Sequence, residues 1–177
     1  VIGNRGNVYA LQKRWAEAEA CYEEALQLDR EMGVIHSIGI QGSNLAQVHR
    51  TFGRLDKAMA TITEAENAYV SIGDEPSVWQ CRAERATILL LMGRYKEGRD
   101  LLAAAVAGKR KHDYEGSRAE LRDLANLAWG RWKCGEGEAA RAEARALIAR
   151  IENLPPRTSV LEDELDAEMA RLREVVA

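Results

Sequence analysis

The sequence predicts an all-α chain, a right-handed superhelical stack of antiparallel helix pairs closed by a separate C-terminal helix. Three observations point there. Ala, Glu, Leu and Arg, all strong helix formers, dominate the 177 residues. Only three prolines and one Phe occur, few for a sheet protein. And the chain repeats itself at a spacing near 40 residues.

The repeat is visible in aligned segments. LDKAMATITEAE (55–66) matches YKEGRDLLAAAV (95–106), and the glycines ahead of them, Gly53 and Gly93, are 40 apart. One period earlier Lys13 precedes WAEAEACYEEAL (15–26), and 42 residues later Gly135 precedes GEAARAEARALI (137–148). Small residues recur in register: Gly6, Ala46, Ala86, Ala128, then Ala18, Ala58, Gly98, Ala140, then Ala25, Ala65, Ala105, with Leu147 ending the last column. Larger ones alternate with them: Trp15, Leu55, Tyr95, broken by Gly137, and Tyr22, Ile62, Leu102, broken by Ala144. Small residues at fixed sites let helix backbones approach closely while large ones fill the space around them.

Four units follow, near 1–32, 33–72, 73–113 and 114–154, with a capping helix in 155–177. In the second unit the helices should run over 34–52 and 55–71. Gly53 marks the turn, where a left-handed backbone suits glycine. Gly33 and Gly73 end the second helices of the first two units, Asp113 takes that place in the third, and Asp74 and Ser77 offer N-caps. Beyond Pro155-Pro156 a last helix is expected over 159–176. Ser159 and Glu162 have capping-box spacing, Leu161, Leu165, Met169, Leu172 and Val176 form an apolar stripe, and charged residues should cover the other side. Such a polar-backed helix seals the end of a stack; docking onto a partner is its other reading.

The small–large–small order of the second helix, the glycine turn and NLAQVHRTFGRLDKA (44–58) resemble the tetratricopeptide repeat. The spacing of 40–42, against 34 in the usual repeat, is similar to the longer-helix variety of kinesin light chains and of helical sensor domains in bacterial regulators. The likeness covers roughly residues 1–153 and is weakest in the fourth unit; Arg5 and Arg85 stand where the family usually has leucine.

In such a stack the first helix of each unit lines the concave face. Two residues before the first small column stand Asn4, Asn44, Glu84 and Asn126; one after it stand Asn7, Gln47, Thr87 and Trp129; three further on come Ala10, Arg50, Leu90 and Trp132. Asn is a poor interior helix residue, so three in one column ask for a reason. An amide donates and accepts at once and can pair with a peptide backbone. Peptide-binding members of the family use asparagines in this way, and the resemblance carries that role to Asn4, Asn44 and Asn126, not to Glu84. The competing reading has these amides bridge neighbouring helices. Arg50, Arg122 and Lys133 suit an anionic contact, and Trp129 and Trp132 an aromatic wall, with packing under the capping helix the alternative for Trp129.

Catalysis and cofactors find no support. Cys21, Cys81 and Cys134 are too dispersed for a disulfide framework or metal cluster, and His49, in the column of Tyr9 and Leu89, reads as packing. No nucleophile–base pair, phosphate loop or His/Cys metal spacing appears. Glu23-Glu24 and Glu162-Asp163 read as solvated faces, and the run Lys109-Arg110-Lys111 as a helix C-terminus complemented by the macrodipole. A net charge of −3 argues against a nucleic-acid partner, and the longest apolar run, 101–107, is too short for a membrane. A reducing cytoplasm fits the cysteine usage. The chain opens at Val1 inside a helical pattern, which reads as a piece of a longer protein. The functional expectation is a scaffold or sensor module that holds a peptide or partner helix in its groove. The alternative is self-association as a homo-oligomer, or docking that regulates an attached signalling or transcription domain.

Overall fold

In the computed structural model, residues 2–112, 114–155 and 165–177 are described. Among them all regular structure is α-helical: α1 (Ile2–Leu11), α2 (Trp15–Met32), α3 (Ile35–Thr51), α4 (Leu55–Ile72), α5 (Glu75–Leu91), α6 (Tyr95–Lys109), α7 (Arg118–Lys133), α8 (Gly137–Glu152) and α9 (Asp166–Val176). None of these helices is long and apolar enough to cross a membrane.

The turns inside the pairs share one construction. A left-handed residue, Lys13 (φ 57°), Gly53 (68°), Gly93 (80°) or Gly135 (91°), lets the chain reverse. The next amide then reaches back to close the helix end: Arg14 to the Tyr9 carbonyl at 2.9 Å, Arg54 to His49 at 2.9 Å, Arg94 to Leu89 at 3.0 Å and Glu136 to Arg131 at 3.1 Å. Lys13 adopts the same conformation as the glycines although it carries a side chain, because the turn leaves it no other. Between pairs, Gly33 and Gly73 repeat the device at φ 68° and 71°. Asp74 caps α5, accepting from the Ser77 amide at 3.2 Å and hydroxyl at 2.7 Å, so Ser77 is held by the cap and is not itself one. Asp113 lies outside the described residues.

The chain divides into two compact units, Val1–Ile88 and Leu89–Ala177. In the first, α2 packs on α1 and α3, and α3 on α4. Its core contains Ala18, Tyr22, Leu26, Ile38, Leu45, Val48 and Ala68. Gly6 is the closest approach in the first pair: a Cβ there would lie 2.6 Å from the Tyr22 ring. Arg85, exceptional against the family's leucine, lies 2.8 Å from the Glu66 carboxylate, which Arg82 also holds at 2.8 Å. Glu66 is buried, and the two guanidinium groups are what makes that burial tolerable.

In the second unit α7 packs on α6, α8 and α9, and α8 on α9. The stretch between α6 and α7 is fixed by buried polar groups. Lys109 Nζ lies 2.8 Å from Asp123, the Tyr114 hydroxyl donates to Asp123 at 2.5 Å, and Arg110 meets Glu120 at 2.8 Å. Lys109 closes α6, the helix C-terminus at which the basic run was expected, and is in addition a buried ion-pair partner. Ser117 caps α7 by accepting from the Glu120 amide at 3.0 Å, while the Glu120 carboxylate accepts from the Gly116 amide at 2.8 Å.

The last helix departs from expectation on its polar side. Leu165 and Leu172 are buried as the stripe predicts, but Val175 is fully buried where Val176 is only half-buried, and Glu168 is buried at 5% exposure. Charged residues do not all face solvent, because α9 rests on α7 and α8 together and meets a polar group there. Leu161 and the Ser159–Glu162 and Glu162-Asp163 pairs lie outside the described residues.

Candidate functional site

In the first unit the predicted face is partly knitted together. Asn7 Oδ1 accepts from the Tyr22 hydroxyl at 2.8 Å and from Asn44 Nδ2 at 3.2 Å. One amide oxygen thus ties α1 to its own partner helix and to the first helix of the next pair. Arg50 Nε donates to Glu84 Oε1 at 2.5 Å, a second rung from α3 to α5. Asn4, Asn7 and Gln47 are exposed; Asn44, Arg50 and Glu84 are half-buried. Thr87 departs from the expected face: it is buried, and its hydroxyl donates to the Ala83 carbonyl at 3.1 Å in its own helix.

In the second unit the corresponding surface is covered. Asn126 is 1% exposed. Its Oδ1 accepts from Arg171 Nη1 at 2.5 Å and its Nδ2 donates to Glu168 Oε1 at 3.4 Å. Trp129, also buried, packs edge-to-face on Tyr95 with centroids 5.8 Å apart and donates from Nε1 to Glu174 at 3.0 Å. Lys133 Nζ donates to the other Glu174 oxygen at 2.8 Å and lies 4.4 Å from the Trp132 ring centroid. Trp132 is half-buried; Arg122, also half-buried, donates to Asp123 at 3.3 Å. Asn126 and Trp129 are therefore held by α9: Trp129 takes the packing alternative under the last helix, and Asn126 takes the bridging reading in place of an open groove position.

The sequence register explains why α9 fits. One period of 42 carries Asn126 to Glu168, Ala128 to Ala170 and Trp129 to Arg171. Helix α9 thus sits as the first helix of a further pair would. Its Ala170, in the column otherwise buried as Gly6, Ala46, Ala86 and Ala128, is exposed.

Two other features escaped sequence reasoning. The Ser117–Glu120 cap was readable from its spacing. His49 is buried as its column predicts, but its contact was not readable: its Nδ1 faces Glu19 of α2, and only the packing of α2 on α3 brings them together. Burial lowers the pKa of the His49 imidazole from its ordinary value by disfavouring the charged form.

Helix pairs with in-register small columns, glycine turns and a last helix packed on α7 and α8 define an α-helical repeat architecture. The comparisons agree. Residues 2–32 match the family model described as the tetratricopeptide repeat. The whole chain shares its fold with solved repeat proteins. BtubC (BKLC) from P. vanneervenii aligns over 92% of this chain and 69% of its own, at 18% identity and a TM-score of 0.71. A putative kinesin light chain from Podosopora anserina with nearly identical TPR-like repeats aligns over 98% and 84%, at 18% identity and a TM-score of 0.70. No curated protein matches by sequence. The fold is that of a tetratricopeptide-like repeat of the long-helix, kinesin-light-chain-like variety.

Proposed function

We propose that the chain is a protein-interaction module whose ligand, an extended peptide or partner helix, lies along the first-helix face of the first unit. The observation that carries this is the Asn7–Asn44 link beside exposed Asn4 and Gln47. Asn7 spends its acceptor on the scaffold, while Asn44 donates one amide hydrogen to it and keeps its oxygen and second hydrogen for a ligand. Arg50 and Glu84 add a charged pair that suits a polar or zwitterionic segment. Asn126 and Trp129 contribute to a ligand site only where α9 is not in place. The test is selection of 12-residue peptides from a random displayed library on the intact chain, followed by calorimetry against Asn44→Ala/Gln47→Ala. Selected peptides should lose about tenfold in affinity with helicity unchanged. Equal binding to both chains, or no enrichment, contradicts the assignment.

A second reading, self-association or docking onto an attached domain, is favoured by exposed apolar side chains in the first unit. Met32 is 74% exposed and Ile72 45%, each one residue before a left-handed glycine, with Val34 and Ile35 beside the first. Light scattering over a hundredfold concentration range separates the homo-oligomer version from a monomer. A cytoplasmic regulator is the cellular setting this reading fits best.

A further inference from the structure

Glu19, Glu23 and His49 form the densest group of potential metal-ligating side chains among the described residues. One oxygen from each carboxylate and one imidazole nitrogen lie within 4.8 Å of one another. Glu19 and Glu23 are one helical turn apart on α2, and His49 comes from α3, so the three converge from two packed helices. His49 is 4% exposed, and its Nδ1 is buried without a hydrogen-bond partner among the described groups. That nitrogen is aimed at Glu19 Oε1, 3.4 Å away. The separation is long for a hydrogen bond. It matches the ligand–ligand edge of about 3.4 Å that a tetrahedral ion with arms of about 2.1 Å requires. Glu23, exposed on the same side, can close onto the point the other two define.

We propose that Glu19, Glu23 and His49 bind a divalent transition cation of the zinc class, with water completing the tetrahedron. One imidazole nitrogen and two carboxylates suit a borderline ion better than calcium or magnesium, which take oxygen ligands alone. Arg54 competes for the site. Its Nη1 already contacts Glu19 Oε1, while its guanidinium stacks 4.6 Å from the Phe52 ring centroid at the protein surface. Binding displaces Arg54 from Glu19 and leaves it on Phe52 and in water. The bound ion staples α2 to α3, across the boundary between the first two helix pairs.

The probe is zinc chloride, titrated calorimetrically into the chain in non-chelating buffer after EDTA treatment and desalting. One ion per chain is expected. His49→Ala and Glu23→Gln should each weaken binding at least about tenfold, and Arg54→Gln should strengthen it severalfold. Zinc should also raise the thermal midpoint of the parent chain and not that of Glu23→Gln. Glu23 is exposed, so its variant stays informative if His49→Ala loses helicity. Unchanged affinity in Glu23→Gln, loss of binding only in Cys134→Ser, or no binding at millimolar zinc overturns the assignment.

Discussion

Arg171 donates from Nη1 to the Oδ1 of Asn126 at 2.5 Å, joining α9 to a residue 45 positions earlier that has 1% of its surface exposed. Glu168 meets the same amide from the other side at 3.4 Å. One of the three column asparagines suited by type to hold a foreign backbone is thus occupied by the chain's own last helix.

Asn126→Ala should therefore destabilise the chain instead of acting silently. It removes the amide bonded to both buried Glu168 and half-buried Arg171, which keep their own ion pair at 3.0 Å, a loss of about 1 kcal/mol. Urea denaturation followed by circular dichroism measures it; an unchanged midpoint would show that the bridge contributes nothing.

Glu174 gives the same contact a pH dependence. Its hydrogen bond from Lys133, aided by Trp129, holds its carboxyl below the ordinary 4.5. A lowered folded-state pKa gives stability that is full above the unfolded value and lost as pH falls through the folded one. The gap in urea midpoint between the parent chain and Glu174→Gln should be constant from neutral pH to about 5 and close as pH falls further. A gap that widens on acidification would reverse the assignment.

Gly39→Ala tests the close approach of α3 and α4. The added Cβ would meet the buried Tyr69 ring at 2.6 Å, so the ring or the helix must shift. Overpacking outweighs the gain in helix propensity, for a net loss of about 1–2 kcal/mol. Gly137→Ala is the control: nothing lies within 4 Å of its Cβ, and the thermal midpoint should hold or rise slightly.

What was legible in sequence followed from local chemistry repeated at a fixed spacing. The period near 40, the columns led by Ala46 and Ala58, and the glycine turns reappear as helix bounds and buried residues, because each depends on a few neighbouring positions and recurs. The helices of the second repeat, expected over 34–52 and 55–71, are found at Ile35–Thr51 and Leu55–Ile72. The face on which residues act was less legible. Thr87 was placed on the groove by its column, yet its hydroxyl turns back to Ala83. A column fixes where a Cα lies, not which bond its side chain makes.

By itself the sequence determined the fold class, the period and the turn positions, since helix propensity, glycine conformation and small–large alternation act over short distances. The tertiary structure decided which groove residues remain available and which charges are buried. Glu168 covers Asn126 from 42 residues away, and Glu19 faces His49 from 30. The first pair is one repeat period apart, yet the period does not say that its side chains bond, and no spacing rule connects the second; the packing of one helix on another makes both contacts.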